Sequence, residues 1–155
     1  MDIDIDIEQD ALRDMSDELA KILANTFVLY TKTLAFHWNV EGPFFAPLHK
    51  LFQDQYEALS DAADRIAERI RALDDMAPCC MRDLLEMASI PEQEGVPDAM
   101  AMVRILSGDH ESCIRGIREV SKLATEIGDD GTVNMLGDLI EGHEKMAWML
   151  RATAS

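Results

Sequence analysis

Apolar residues recur along most of the chain with the 3.6-residue period of amphipathic helices. Leu12, Met15, Leu19, Ile22, Leu29 and Thr33 fall on one stripe and predict a helix over residues 8–36. Leu48, Phe52, Gln55, Leu59, Ala62, Ile66, Ile70 and Leu73 predict a second over 46–73. A third, over 99–127, runs through Val103, Leu106, His110, Ile114, Ile117, Val120 and Ala124. A fourth, over 133–151, runs through Leu136, Leu139, Ile140, His143, Ala147 and Leu150. Gly42-Pro43 breaks the first pair, and the stretch GDDGT makes a turn within the second. Between the pairs, residues 74–98 carry Pro78, Pro91, Gly95 and Pro97 and read as irregular, with one short helix over RDLLEMA. The opening MDIDIDIEQD alternates with period two, but nothing nearby offers a partner strand. Residues 1–7 are therefore read as a flexible acidic arm, and 8–155 as one all-α domain. Four amphipathic helices with these connections predict a four-helix bundle of two hairpins, with the long middle segment crossing it.

Composition sharpens this picture. With 155 residues, of which 48% are hydrophobic and only 6% aromatic, the core is aliphatic and Met-rich; 8 glycines and 5 prolines are too few for a turn-rich β-sandwich. Thirty acids against 14 bases give a net charge of −16, which repels phosphate backbones and anionic lipid and attracts cations. Direct DNA binding is not expected. The three cysteines include an adjacent pair, Cys79-Cys80, and no C-x-x-C, a pattern suited to a reducing cytoplasm. The acidic first residues do not resemble a signal peptide, and no apolar run is long enough to span a bilayer.

Four residues have the chemistry of metal ligands: His37, His49, Asp64 and Glu68. Asp64 and Glu68 are four apart on the second helix and sit one above the other, away from its apolar stripe. His37 ends the first helix and His49 begins the second, so the Gly42-Pro43 bend brings them together. Fifteen residues then separate His49 from Asp64, about 22 Å along a helix axis. One chain cannot gather all four around one ion. Two chains can, if their second helices cross antiparallel with polar faces inward; a two-fold axis then makes two such sites. Imidazole plus carboxylate without thiolate suits iron(II), with zinc or manganese as substitutes. An acid pair at this spacing is also ordinary on a solvated face, and a histidine at a helix end is ordinary as a cap, so spacing leaves both readings open.

At these residues the chain resembles a family. TLAFHWNVEGPFFAPLHKLFQDQYEALSDAADRIAERIRALD, residues 33–74, is similar to the signature of the Dps mini-ferritins: His-Trp-Asn-Val-x-Gly, a second histidine twelve residues after the first, and D-x-x-x-E followed by RI. The resemblance implies a ferritin-like subunit with a short helix in the middle connection, twelve of which form a hollow shell. It implies ferroxidase sites shared across two-fold axes, with His37 and His49 from one subunit and Asp64 and Glu68 from the other. The implied reaction is oxidation of iron(II), preferably by hydrogen peroxide, with ferric mineral stored inside. Trp38 then stands where the family places an electron donor, although packing at an interface is an alternative use of an exposed tryptophan. DNA protection with little iron turnover is the alternative function. The E-x-x-H motif of single-bundle di-iron sites is absent from the sequence.

Departures from the family's pattern are also expected to matter. Gln53 stands where many relatives have an acid assisting a second iron, so a second metal position is expected to be weak. Asn134, with Asp129 and Asp130 upstream, stands where relatives place a pore aspartate. Cys79 and Cys80 read as inert thiols or as thiols that bind metal or react with peroxide. His110 and His143 lie on apolar stripes and are expected as core or interface residues rather than ligands. The ten methionines are expected to fill the core rather than to hold haem.

Overall fold

The computed structural model describes residues 3–154. Five helices follow in order: α1 (Gln9–Asn39), α2 (Phe45–Ala72), α3 (Met81–Met87), α4 (Ala99–Glu126) and α5 (Asp130–Thr153), with no strand among the described residues. α1 packs chiefly on α2 and α4 on α5; α1 joins the two hairpins by packing on α4, and the short α3 lies against α1. This is the expected bundle. No helix among the described residues is long and apolar enough to cross a membrane. Residues 1 and 2 of the expected arm lie outside the described residues. Ile3 and Ile7 are partly buried against the core, and Gln9 Nε2 donates to the Ile3 carbonyl at 2.7 Å.

The stripes read from the sequence form the core: Leu12, Leu19, Leu29, Leu48, Phe52, Leu59, Ile66, Ile70, Leu106 and Leu136 are all fully buried. On α2 the buried small residue is Ala63 rather than Ala62, and on α4 Cys113 rather than Ile114, because 3.6 residues per turn leaves adjacent positions sharing the edge of a stripe.

Helix ends differ from expectation where capping decides them. α1 continues past residue 36 to Asn39, so His37 and Trp38 lie within its last turn; the Val40 amide still bonds the Phe36 carbonyl at 2.9 Å. α4 ends in a Schellman turn at Gly128 (φ +74°), with Asp129 N bonding Ala124 O and Gly128 N bonding Thr125 O. α5 begins at Asp130, not residue 133, because Asp129 is its N-cap. The Asp129 carboxylate accepts from Thr132 N at 3.0 Å and from the Thr132 hydroxyl at 2.5 Å. Arg69 of α2 reaches the same carboxylate at 2.5 Å and tethers the α5 N-terminus to the second helix.

Two polar couples lie inside the bundle. Lys32 of α1 and Asp109 of α4 form a buried ion pair at 2.7 Å. Burial raises the Asp109 carboxyl above its ordinary value, although Lys32 pulls the other way. At the next residue of α4, His110 Nδ1 and His143 Nδ1 share a hydrogen bond of 2.8 Å between α4 and α5, and His110 Nε2 is buried without a protein partner. Both histidines are core residues, as their stripe positions predicted. Cys113 is buried nearby, and burial pushes its thiol up to about 12, so it packs as a small apolar side chain.

Candidate metal centre

The α1–α2 turn is built so that two imidazoles face each other. Gly42 adopts φ +97°, a conformation that favours glycine, and its carbonyl accepts from Phe45 N at 3.0 Å as α2 starts. The returning helix places the His49 ring on the His37 ring, with centroids 3.8 Å apart and planes 17° from parallel. Phe45, one turn before His49, stacks on its outer face at 5.0 Å, and Tyr56 meets His37 edge-on at 5.2 Å. Both histidines are thus wedged between aromatic rings, which restricts their rotamers.

Their hydrogen bonds are reciprocal. His37 Nδ1 lies 2.7 Å from the His49 carbonyl, and His49 Nδ1 lies 2.8 Å from the His37 carbonyl. A carbonyl only accepts, so each Nδ1 carries the proton and donates. In the neutral rings each Nε2 therefore keeps a bare lone pair, the tautomer a metal-binding histidine needs, fixed by backbone rather than by a carboxylate. The His37 carbonyl is also one of the last-turn acceptors that α1 leaves without an internal partner.

The acids occupy the other end of the same helix. Asp64 and Glu68 are both exposed, and among the described residues neither makes an ion pair or side-chain hydrogen bond. The neighbouring cations are drawn away: Arg65 pairs with Asp138 at 2.7 Å and Arg69 with Asp129. Other acids of this face are engaged, Asp54 by Lys50 and Glu57 by Gln53, whose amide donates at 2.9 Å. Gln53 is therefore turned along α2 rather than held beside the imidazoles. Within one subunit no three His, Cys, Asp or Glu side chains converge as a metal site among the described residues. The structure brings His37 and His49 together and leaves Asp64 and Glu68 apart from them.

Trp38 is 66% exposed beside His37, and Phe44 and Phe45 are also exposed on this corner. Such an apolar corner around a half-assembled donor set marks a contact surface. The sequence reading missed Phe45 and Tyr56. Their signal was present, since residues 45, 49 and 56 follow helical spacing on one face of α2, but nothing in the spacing disclosed the reciprocal carbonyl bonds.

Asp129, considered as a pore residue, is buried and spent on Arg69 and Thr132. Of the acids considered upstream of Asn134 only Asp130 is exposed.

Residues 16–155 match the model of the ferritin-like domain family. A low temperature-induced protein of Nostoc sp. is 39% identical over 97% of this chain and 85% of its own length. A DNA protection during starvation protein of Brevibacillus brevis is 36% identical over 86% of this chain and 90% of its own. Among solved structures, the Dps protein of Vibrio cholerae O1, described as belonging to the ferritin-like diiron-carboxylate proteins, superposes with a TM-score of 0.94 at 29% identity, covering 100% of this chain and 98% of that one.

Proposed function

The chain belongs to the Dps mini-ferritins of the ferritin-like family, and from that premise we propose that it is a ferroxidase and iron store. Iron(II) binds where His37 and His49 of one subunit meet Asp64 and Glu68 of a two-fold-related copy. The observation that carries this reading is the reciprocal pair of Nδ1–carbonyl bonds, which occupies both Nδ1 atoms and leaves both Nε2 atoms outside these bonds at one corner, while two carboxylates without an ion pair lie at the far end of α2. Neutral imidazoles and carboxylates are ligands for a borderline cation such as iron(II), and zinc or manganese would occupy the same donors. Gln53, bonded to Glu57, leaves the second iron position weakly supported.

The oxidant is hydrogen peroxide. Two iron(II) ions each give one electron, the O–O bond breaks, and with two waters the products are two ferric oxyhydroxide units and four protons. The carboxylates hold the ion as its charge rises, and the imidazoles keep it beside Trp38, which supplies an electron when iron is short. A hollow dodecamer retains the mineral, and the free thiols fit a reducing cytoplasm. The test is anaerobic addition of peroxide to iron(II) with and without protein. A fast absorbance rise in the presence of protein, lost in the Glu68→Ala variant, is expected; equal traces with and without protein would end the ferroxidase reading.

Relatives named for DNA protection support a second reading, in which the shell shields DNA by binding it. The net charge of −16 opposes direct contact with phosphate.

A further inference from the structure

The chain has 2 tyrosines, Tyr30 and Tyr56, and they touch each other. Tyr30 lies two turns before His37 on α1, and Tyr56 lies two turns after His49 on α2, so all four rings are on the facing sides of one hairpin. Tyr56 meets His37 edge-on with ring centroids 5.2 Å apart, and it meets Tyr30 in a T-shaped contact at 6.1 Å. The row His37, Tyr56, Tyr30 thus runs away from the bend. Tyr30 in turn lines a cleft between α1, α2 and α3 whose wall also carries Asp64. Within one subunit, two touching phenols lead from the imidazole corner to the cleft that holds the first of its candidate carboxylates.

Packing does not account for the two hydroxyls. Phe36 and Phe52 make a comparable ring contact in the same hairpin, at 6.3 Å, with no polar atom. Tyr30 and Tyr56 are half-buried, and among the described residues no hydrogen bond holds either phenolic oxygen, so a hydroxyl proton can pass to water. With no such bond to make, what a phenol adds to a benzene ring is a one-electron oxidation coupled to loss of that proton. The proposed reaction calls for such a step. Peroxide takes two electrons, one iron(II) gives one, and Gln53 is turned to Glu57 rather than to a second metal position.

We propose that Tyr56 and Tyr30 are an electron relay joining the two iron sites of a two-fold pair, a reading that rests on the shared ferroxidase site proposed above. The His37 end of a subunit belongs to one site and its Asp64 end to the other, so the row within that subunit connects both. Peroxide at the first site takes one electron from the iron(II) there, and its O–O bond breaks. Tyr56 gives the second electron and loses its phenolic proton. Tyr30 then reduces the Tyr56 radical, and iron(II) at the second site reduces the Tyr30 radical, each phenol regaining a proton from water. In sum, two iron(II), one peroxide and two protons give two iron(III) and two waters. Trp38 is spared whenever both sites are filled.

The experiment loads the intact assembly anaerobically with iron(II), either one ion per subunit or one per four subunits, then adds peroxide and freezes samples rapidly for electron paramagnetic resonance. In the sparsely loaded wild type most filled sites have no second iron across the pair, and a radical that narrows with ring-deuterated tyrosine is expected to persist. At full loading it is expected to vanish as fast as iron is oxidised. Tyr56→Phe keeps the ring against His37 and removes the phenol; loss of the tyrosyl signal is expected, with bleaching of tryptophan fluorescence over repeated cycles. Tyr30→Phe is expected to strand the Tyr56 radical even at full loading. Fast iron oxidation in the sparsely loaded wild type without a tyrosyl radical, a radical lifetime equal at both loadings, or unchanged decay in Tyr30→Phe overturns the relay. Wild-type oxidation no faster than in protein-free solution instead overturns the ferroxidase reading beneath it.

Discussion

His110 and His143 are two imidazoles buried in an apolar bundle with one hydrogen bond between them. Burial holds His143 down to about 4, and burial together with the neighbouring His143 holds His110 well below its ordinary value. In the unfolded chain both titrate near 6.5. The unfolded state therefore binds more protons than the native state in the interval between, and stability falls as pH falls from about 6.5 to about 4. For His143 the shift is worth about 3 kcal/mol across that interval. Replacing both, as His110→Phe/His143→Leu, removes the penalty. Thermal melts from pH 7 to pH 4.5 should show the wild type losing stability more steeply than the double variant; parallel slopes would mean that the pair does not set the acid limit. At the candidate metal centre the deciding residue-scale fact is a tautomer. It is imposed by two main-chain carbonyls, so no side-chain substitution removes those acceptors without moving a helix.

Each helix is held by a few contacts whose loss should be felt along its length. The Lys32–Asp109 pair joins α1 to α4 across the two hairpins, with both side chains nearly inaccessible. Lys32→Ala leaves the Asp109 carboxylate buried and unpaired and is expected to cost about 3–5 kcal/mol. Lys32→Met/Asp109→Leu, which removes both charges, should cost much less, and chemical denaturation of the three proteins measures the difference. Asp129 both caps α5 and binds Arg69. Asp129→Ala loses the cap and strands the partly buried guanidinium, an expected loss of about 2–4 kcal/mol by the same measurement. The capping aspartate also explains why the turn GDDGT is shorter than its composition suggests: Gly131 and Thr132 are already helical.

For the whole molecule the proposed site is a property of the assembly, because one α2 helix is too long to bring its own ends together. His37→Ala and Glu68→Ala shells should each lose rapid iron oxidation. In shells assembled from both subunits, interfaces that pair the intact half of each regain activity. Stopped-flow absorbance on shells with verified mixing gives the answer, and absence of any recovery would rule out sharing between subunits. The shell's charge belongs to the same scale. A gel-shift with linear DNA at low and moderate salt should show no retardation; a shift that fades with salt would instead favour the DNA-binding reading.

Helical periodicity was sufficient to read four long helices, the pairing of neighbours into hairpins and nearly all of the core, because burial of a stripe is a local consequence of the 3.6-residue repeat. Proximity of His37 and His49 followed in the same way from a bend at Gly42-Pro43 between two adjacent helices. What spacing did not carry was anything depending on side-chain direction across elements. The stacked imidazoles with their carbonyl partners, the turning of Arg65 and Arg69 toward α5 that leaves Asp64 and Glu68 free, and the burial of Asp129 beneath an arginine sixty residues earlier all arise from packing of distant segments. A linear pattern fixes which face a residue occupies, but the protonation and availability of its polar atoms are set by neighbours that only the folded chain supplies.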